Sequence, residues 1–124
     1  MKSDTLIDFY QVTYSGQPVK LTVTIGNGMN AISKLLLNSQ VVQGSEVDGS
    51  FTRSFEKKLG TNEELAGQKL QMTTLVLNNG EDINRTSIIV SLTGGATQYA
   101  QKLEHDSSEM GVAVKFTVGI RFSK

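Results

Sequence analysis

His105 is the only histidine in the chain, with Asp106 beside it and Ser107 and Ser108 following. A Ser-His-Asp relay needs its three side chains to converge from separate positions, because the acid orients the ring from the side opposite the nucleophile. Neighbours in sequence do not supply that geometry, and no Gly-x-Ser-x-Gly elbow is present. His105 is therefore expected as a solvated turn residue, and no catalytic residue is assigned. The absence of cysteine removes thiolate nucleophiles, disulfides and Cys-ligated zinc or iron–sulfur centres together.

Two oxygen-rich segments carry the remaining chemistry. Glu104, Asp106 and Glu109 form one acidic group, and Asn79, Glu81, Asp82 and Asn84 form another. Calcium takes about six to eight oxygen ligands, which loops of a β protein can supply. Neither segment has EF-hand spacing, and Asn, Asp and Gly are also the residues that tight turns use for backbone reasons. Asn79, Glu81, Asp82 and Asn84 are the better-placed weak metal candidates, yet the expectation is a turn with no metal and no cofactor. Gly26-Asn27-Gly28 and Gly94-Gly95 resemble phosphate cradles only in composition. A phosphate loop must open a helix whose N-terminus faces the anion, and no helical pattern follows either one. They are expected as turn glycines.

Lys plus Arg equals Asp plus Glu at 12 each, without a long run of either sign. No chain-wide basic field exists to collect phosphates, so nucleic acid is not an expected partner. The start of the chain has no apolar run of signal-peptide length, and no later segment could span a bilayer as a helix. A cytoplasmic protein without membrane insertion is the default expectation. Export without a cleaved leader, or a leader already removed, remains open.

The elements that must position these residues are strands. Hydrophobic content is only 38%, but it is concentrated in alternating runs, which argues for a folded chain rather than a disordered one. Gly16 to Ile25 and Gly111 to Ile120 are two copies of one phrase: a turn glycine, then apolar residues at every second position. Val19, Leu21, Val23 and Ile25 face one side in the first copy; Val112, Val114, Phe116, Val118, Ile120 and Phe122 do so in the second. Lys20, Thr22, Thr24, Lys115, Thr117, Arg121 and Ser123 face the other way. Period-2 patterning with β-branched residues marks a strand packed on one face and wet on the other.

Further strands are expected over 6–14, 31–37, 40–42, 50–59, 69–78, 88–92 and 98–104. Ser15-Gly16-Gln17-Pro18 reads as a tight hairpin connection, and Asn38-Ser39 as a two-residue turn. Phe51, Phe55 and Leu59 fit a helix face or one strand face; the glycines at 49 and 60 favour the strand. Thr61-Asn62-Glu63-Glu64 has capping-box form, with room for a single helical turn before Gly67. Apolar parity slips within 69–78, which requires either two covered faces or a β-bulge at Thr73-Thr74. His105 to Glu109 reads as the turn into the last strand. One domain over residues 1–124 follows, an all-β antiparallel two-sheet sandwich of about eight or nine strands. A closed or partly open barrel is the alternative.

The first strand breaks the clean alternation. Ile7 and Phe9 lie on one side, with Leu6, Tyr10, Val12 and Tyr14 on the other. A strand apolar on both sides is covered on both, by its own chain or by another. Tyr10, Val12 and Tyr14 are the interface candidates. The functional expectation is a non-enzymatic sandwich acting through protein–protein contacts, in a homo-oligomer or a larger assembly. A small-ligand or carbohydrate-binding module comes second, and a hydrolase using convergent loop carboxylates third.

Overall fold

Alternating side chains sort this chain into two sheets that share one apolar interior. The structure, a computed structural model, describes residues 2–26, 30–38, 40–41, 50–51, 55–77, 85–106 and 113–124. Among these, the strands are β1 (Lys2–Gln11), β2 (Pro18–Ile25), β3 (Asn30–Leu37), β4 (Gln40–Val41), β5 (Ser50–Phe51), β6 (Phe55–Thr61), β7 (Lys69–Leu77), β8 (Arg85–Thr93), β9 (Tyr99–Asp106) and β10 (Ala113–Ser123). A single helical turn, α1 (Asn62–Leu65), lies between β6 and β7.

The larger sheet has the order β1-β10-β7-β3-β4, with β5 also paired to β3, and the smaller has the order β6-β2-β8-β9. Neither closes on itself, so the fold is a two-sheet all-β sandwich rather than a barrel. The two copies of the repeated phrase become β2 and β10, one in each sheet. Their inward residues, Val19, Leu21, Val23 and Ile25 against Val114, Phe116, Val118, Ile120 and Phe122, are all buried and belong to one core. Fully burying side chains of this size contributes about 1.5–3 kcal/mol each, which is why parity decides the fold.

Several local expectations change. The segment after β1 is not a hairpin: β1 pairs in parallel with β10 in one sheet, while β2 pairs with β6 and β8 in the other. The Val12 N–H donates to the Ser123 carbonyl at 2.8 Å, so the first strand is held by the end of the chain. Within the run from Ser50 to Leu59, residues 50–51 and 55–59 are strand and belong to different sheets: β5 joins the larger through β3, and β6 joins the smaller through β2, while 52–54 lie outside the described residues. Thr73-Thr74 carries no bulge, because β7 keeps an unbroken register with both β10 and β3. Thr74 sits at core parity, where its hydroxyl meets that of Ser33 at 2.9 Å, both buried. Two hydroxyls that satisfy each other remove most of the cost of a polar pair in a core. The register shift falls instead in the β2–β6 pairing, between Val19 and Lys20. β9 also runs on through His105 and Asp106, which pair with Thr86 and Arg85 on β8.

Other readings hold. β3 and β4 form the hairpin across Asn38, whose φ of 54° is the left-handed turn conformation that Asn tolerates. The capping box is formed: the Glu64 N–H donates to Thr61 Oγ1 at 3.2 Å, and the Thr61 N–H donates to Glu64 Oε1 at 2.9 Å. Hydrogen bonding of the Glu64 carboxyl by the Thr61 backbone N–H, and then by the Thr61 side chain, holds it below its ordinary pKa.

Candidate functional site

Outward parity on the larger sheet assembles residues that lie far apart in sequence. Across the strands, Ile7 on β1 pairs with Gly119 on β10, Gly119 with Gln71 on β7, and Gln71 with Leu36 on β3. The row on one side of this line holds Phe9, Arg121 and Lys69; the row on the other holds Thr5, Thr117, Thr73 and Lys34. Rows two residues apart on a strand are about 7 Å apart, and neighbouring strands about 4.8 Å. Gly119 has no side chain, so the middle line sinks at its centre. The result is an open hollow of ≈ 250 Å³, lined by side chains from β1, β3, β7 and β10.

The hollow is bordered by Ile7 and Leu36 together with Thr5, Thr73, Thr117, Gln71 and Lys69, and its β1 side is exposed at the sheet margin. Ile7 is 78% exposed and Phe9 64%, side by side on the outward face of β1. The electrostatics of the face are one-sided. Lys34, Lys69, Lys115 and Arg121 all sit at outward positions of the larger sheet, and none of its described outward positions carries a carboxylate. Lys69, Lys115 and Arg121 make no ion pair among the described residues. Since the whole chain is neutral, eight cations and twelve carboxylates are left for all other positions.

The open edge of β1 is arranged differently from its face. The Phe9 N–H points off that edge and is taken by Asp8 Oδ1 at 2.8 Å. The Tyr99 hydroxyl, from β9 in the other sheet, donates to Asp8 Oδ2 at 2.8 Å. Burial, followed by the hydrogen bond and charge of Asp8, raises the Tyr99 pKa well above that of an ordinary phenol. Asp4 and Asp8 both occupy inward positions of an edge strand, an arrangement that obstructs addition of a further strand.

The residues singled out from sequence are distributed unevenly over these features. Tyr10, 2% exposed, and Val12 are covered by the chain's own core and are not at the surface. The Tyr10 hydroxyl donates to the Thr97 carbonyl at 2.5 Å and accepts from the Gly95 N–H at 2.9 Å. Its ring packs edge-on against Tyr99 and Phe122 at 6.0 and 6.2 Å. Tyr14 is exposed, with Lys124 Nζ 3.8 Å above its ring. The metal candidates Asn79, Glu81, Asp82 and Asn84 lie outside the described residues, as do Glu109 and Asn27-Gly28. Among the described residues, no three His, Asp or Glu side chains gather as a metal site. Gly94 is indeed a turn glycine, with φ of 97° and no room for a Cβ against the Pro18 carbonyl.

Sequence reasoning missed two positions. Asn62 is buried at the base of α1, where its Oδ1 accepts from the Thr13 N–H at 2.9 Å. Its Nδ2 donates to the Gln17 and Gly94 carbonyls at 2.7 and 2.9 Å, tying the β1–β2 crossover to the β8–β9 turn. The capping box located this residue but gave no hint of its burial. The other is Gly119, a glycine between Val118 and Ile120 inside a strand, whose missing side chain was the visible signal of an opening at that point. No family model, curated protein or solved structure matches this chain.

Proposed function

We propose that the chain is a non-enzymatic binding module that works by protein–protein contact through the outer face of its larger sheet. The observation that carries this reading is the pair Ile7 and Phe9, large apolar side chains left exposed side by side on the outward face of β1, with Ile7 lining a hollow. Covering either one completely is worth about 1.5–3 kcal/mol, which a partner rather than the chain itself would supply. Asp4 and Asp8 disfavour pairing along the β1 edge, so the contact is by face packing. A two-fold contact of this face with its own copy would set Lys69 and Arg121 against like charges. A larger assembly with a different protein therefore fits better than a symmetric homodimer.

A small ligand on the same sheet face is the second reading, and the hollow supports it. At ≈ 250 Å³ the hollow falls below the range of about 300–1,000 Å³ usual for ligand pockets. It is better sized to seat one side chain of a larger partner. The test is a photoreactive benzoylphenylalanine placed at Phe9, and separately at Ile89 on the smaller sheet, in the cells that make the protein. The reading expects a discrete protein adduct from position 9 and none from position 89. Adducts from both positions alike, or from neither, would contradict it.

A further inference from the structure

The glycine at the centre of the hollow has no structural reason to be one. Gly119 lies well inside β10, its backbone is outside the left-handed region, and a Cβ there would meet only Lys69 Cε at 3.8 Å, an ordinary contact. Gly94 and Gly95 are different: a Cβ at either would collide with the Pro18 carbonyl or with the Tyr10 ring. Glycine inside a strand weakens it, and β-branched residues surround this one. The space above Gly119 is thus an opening the fold does not require.

What borders that space narrows its occupant. Ile7 and Leu36 close the two ends of the line through Gly119 and Gln71, Lys69 lines one adjoining row with Arg121 as its strand partner there, and Thr5, Thr117 and Thr73 line the other. Gly119 between Ile7 and Leu36 suits an apolar side chain, and the two cations suit carboxylates on their side of it. We infer that the hollow over Gly119 seats an aliphatic side chain of an acidic protein segment, whose carboxylates face Lys69 and Arg121. This rests on the protein-contact reading above and names the chemistry of the partner. Because exposed charges carry part of the contact, the affinity falls as salt rises.

Fluorescence polarisation with short synthetic peptides tests this on the full chain. The probes are a peptide with one leucine flanked by aspartate and glutamate, its lysine-flanked counterpart, its leucine-to-serine counterpart, and a single-stranded oligothymidylate. The expected result is saturable binding of the acidic leucine peptide alone, weakened about tenfold or more by Gly119→Val and by Lys69→Gln with Arg121→Gln. Gly119→Val should melt at the same or a higher temperature than the parent, and Gly119→Ala provides a smaller plug if valine disturbs the strand. Equal binding of acidic and basic peptides, equal binding of oligothymidylate, no binding of any probe, or an affinity unchanged by Gly119→Val with Gly119→Ala would each overturn the inference. Light scattering that shows Gly119-dependent self-association would overturn it too, by assigning the hollow to a second copy. A protein adduct at Phe9 with no acidic preference would leave the contact reading standing and remove only this one.

Discussion

The two sheets present outer faces built from similar residues, and they resolve their charges differently. On the smaller sheet, Lys20 Nζ lies 3.6 Å from Glu56 Oε2, and Lys102 Nζ lies 3.1 Å from Glu104 Oε2. Threonine and serine fill much of the rest, and Ile89 is 37% exposed. On the larger sheet, cations stand without carboxylates among the described outward positions, beside exposed Ile7, Phe9 and Ile32. A face that neutralises itself with small polar residues is suited to water. One that combines Lys69, Lys115 and Arg121, which make no ion pair among the described residues, with apolar side chains and a hollow is suited to a partner of opposite charge. The difference is therefore one of balance: the smaller sheet pairs Lys20 and Lys102 with carboxylates and leaves Lys58 without an ion pair among the described residues, whereas the larger carries Lys69, Lys115 and Arg121 with none.

That comparison can be broken or sharpened by substitution. The largest effect should come from the shared framework rather than from either face. Asn62→Ala strands the Thr13 N–H and the Gly94 carbonyl, while the Gln17 carbonyl keeps its bond from the backbone N–H of residue 62, at a cost of about 2 kcal/mol or more in denaturant unfolding. It sets the baseline for loss of binding through loss of fold. Ile7→Ser with Phe9→Ser comes next: contact with the partner should disappear while unfolding stability changes by no more than about 1 kcal/mol, since both side chains are exposed. Ile89→Ser should change neither quantity, and a loss of contact there would erase the distinction between the faces.

A pH effect belongs to the margin where the two sheets meet. The folded state favours neutral Tyr99, whose pKa lies above its ordinary value of 10.0. Its stabilising contribution is therefore present below about pH 10 and lost as pH rises through the folded pKa. Thermal melts above that pH should fall more steeply for the parent than for Tyr99→Phe. The smallest effect is expected from Lys20→Gln, whose ion pair with Glu56 is well exposed on both sides. Exposed pairs are worth about 0–1 kcal/mol, so its melting temperature should barely move.

Sequence legibility followed the same divide. β2 and β10 were readable because one parity carries every large apolar residue and the other carries Lys, Thr, Arg and Ser. β1 was not, because Leu6 and Tyr10 share a parity with Asp4 and Asp8 while Ile7 and Phe9 occupy the other. Pattern alone then assigns neither face to the core. The decision comes from distant partners: the Gly95 N–H and Thr97 carbonyl hold Tyr10 inward, and Tyr99 holds Asp8. The Ser15–Pro18 segment has hairpin composition, yet the parallel pairing of β1 with β10 places the strands it joins in different sheets. The hollow was illegible for a related reason. It exists only once Ile7, Gly119, Gln71 and Leu36 are brought into one line by strand register.

The central claim is that the outer face of the larger sheet is covered in the protein's working state. Carbene footprinting tests it most directly, comparing the purified chain with the same chain in the cells that make it. The account predicts that labelling of Ile7, Phe9 and Thr117 drops in the cell, while Thr24 and Ile89 on the smaller sheet are labelled equally in both. Unchanged labelling of Ile7 and Phe9, or protection confined to the smaller sheet, would contradict it.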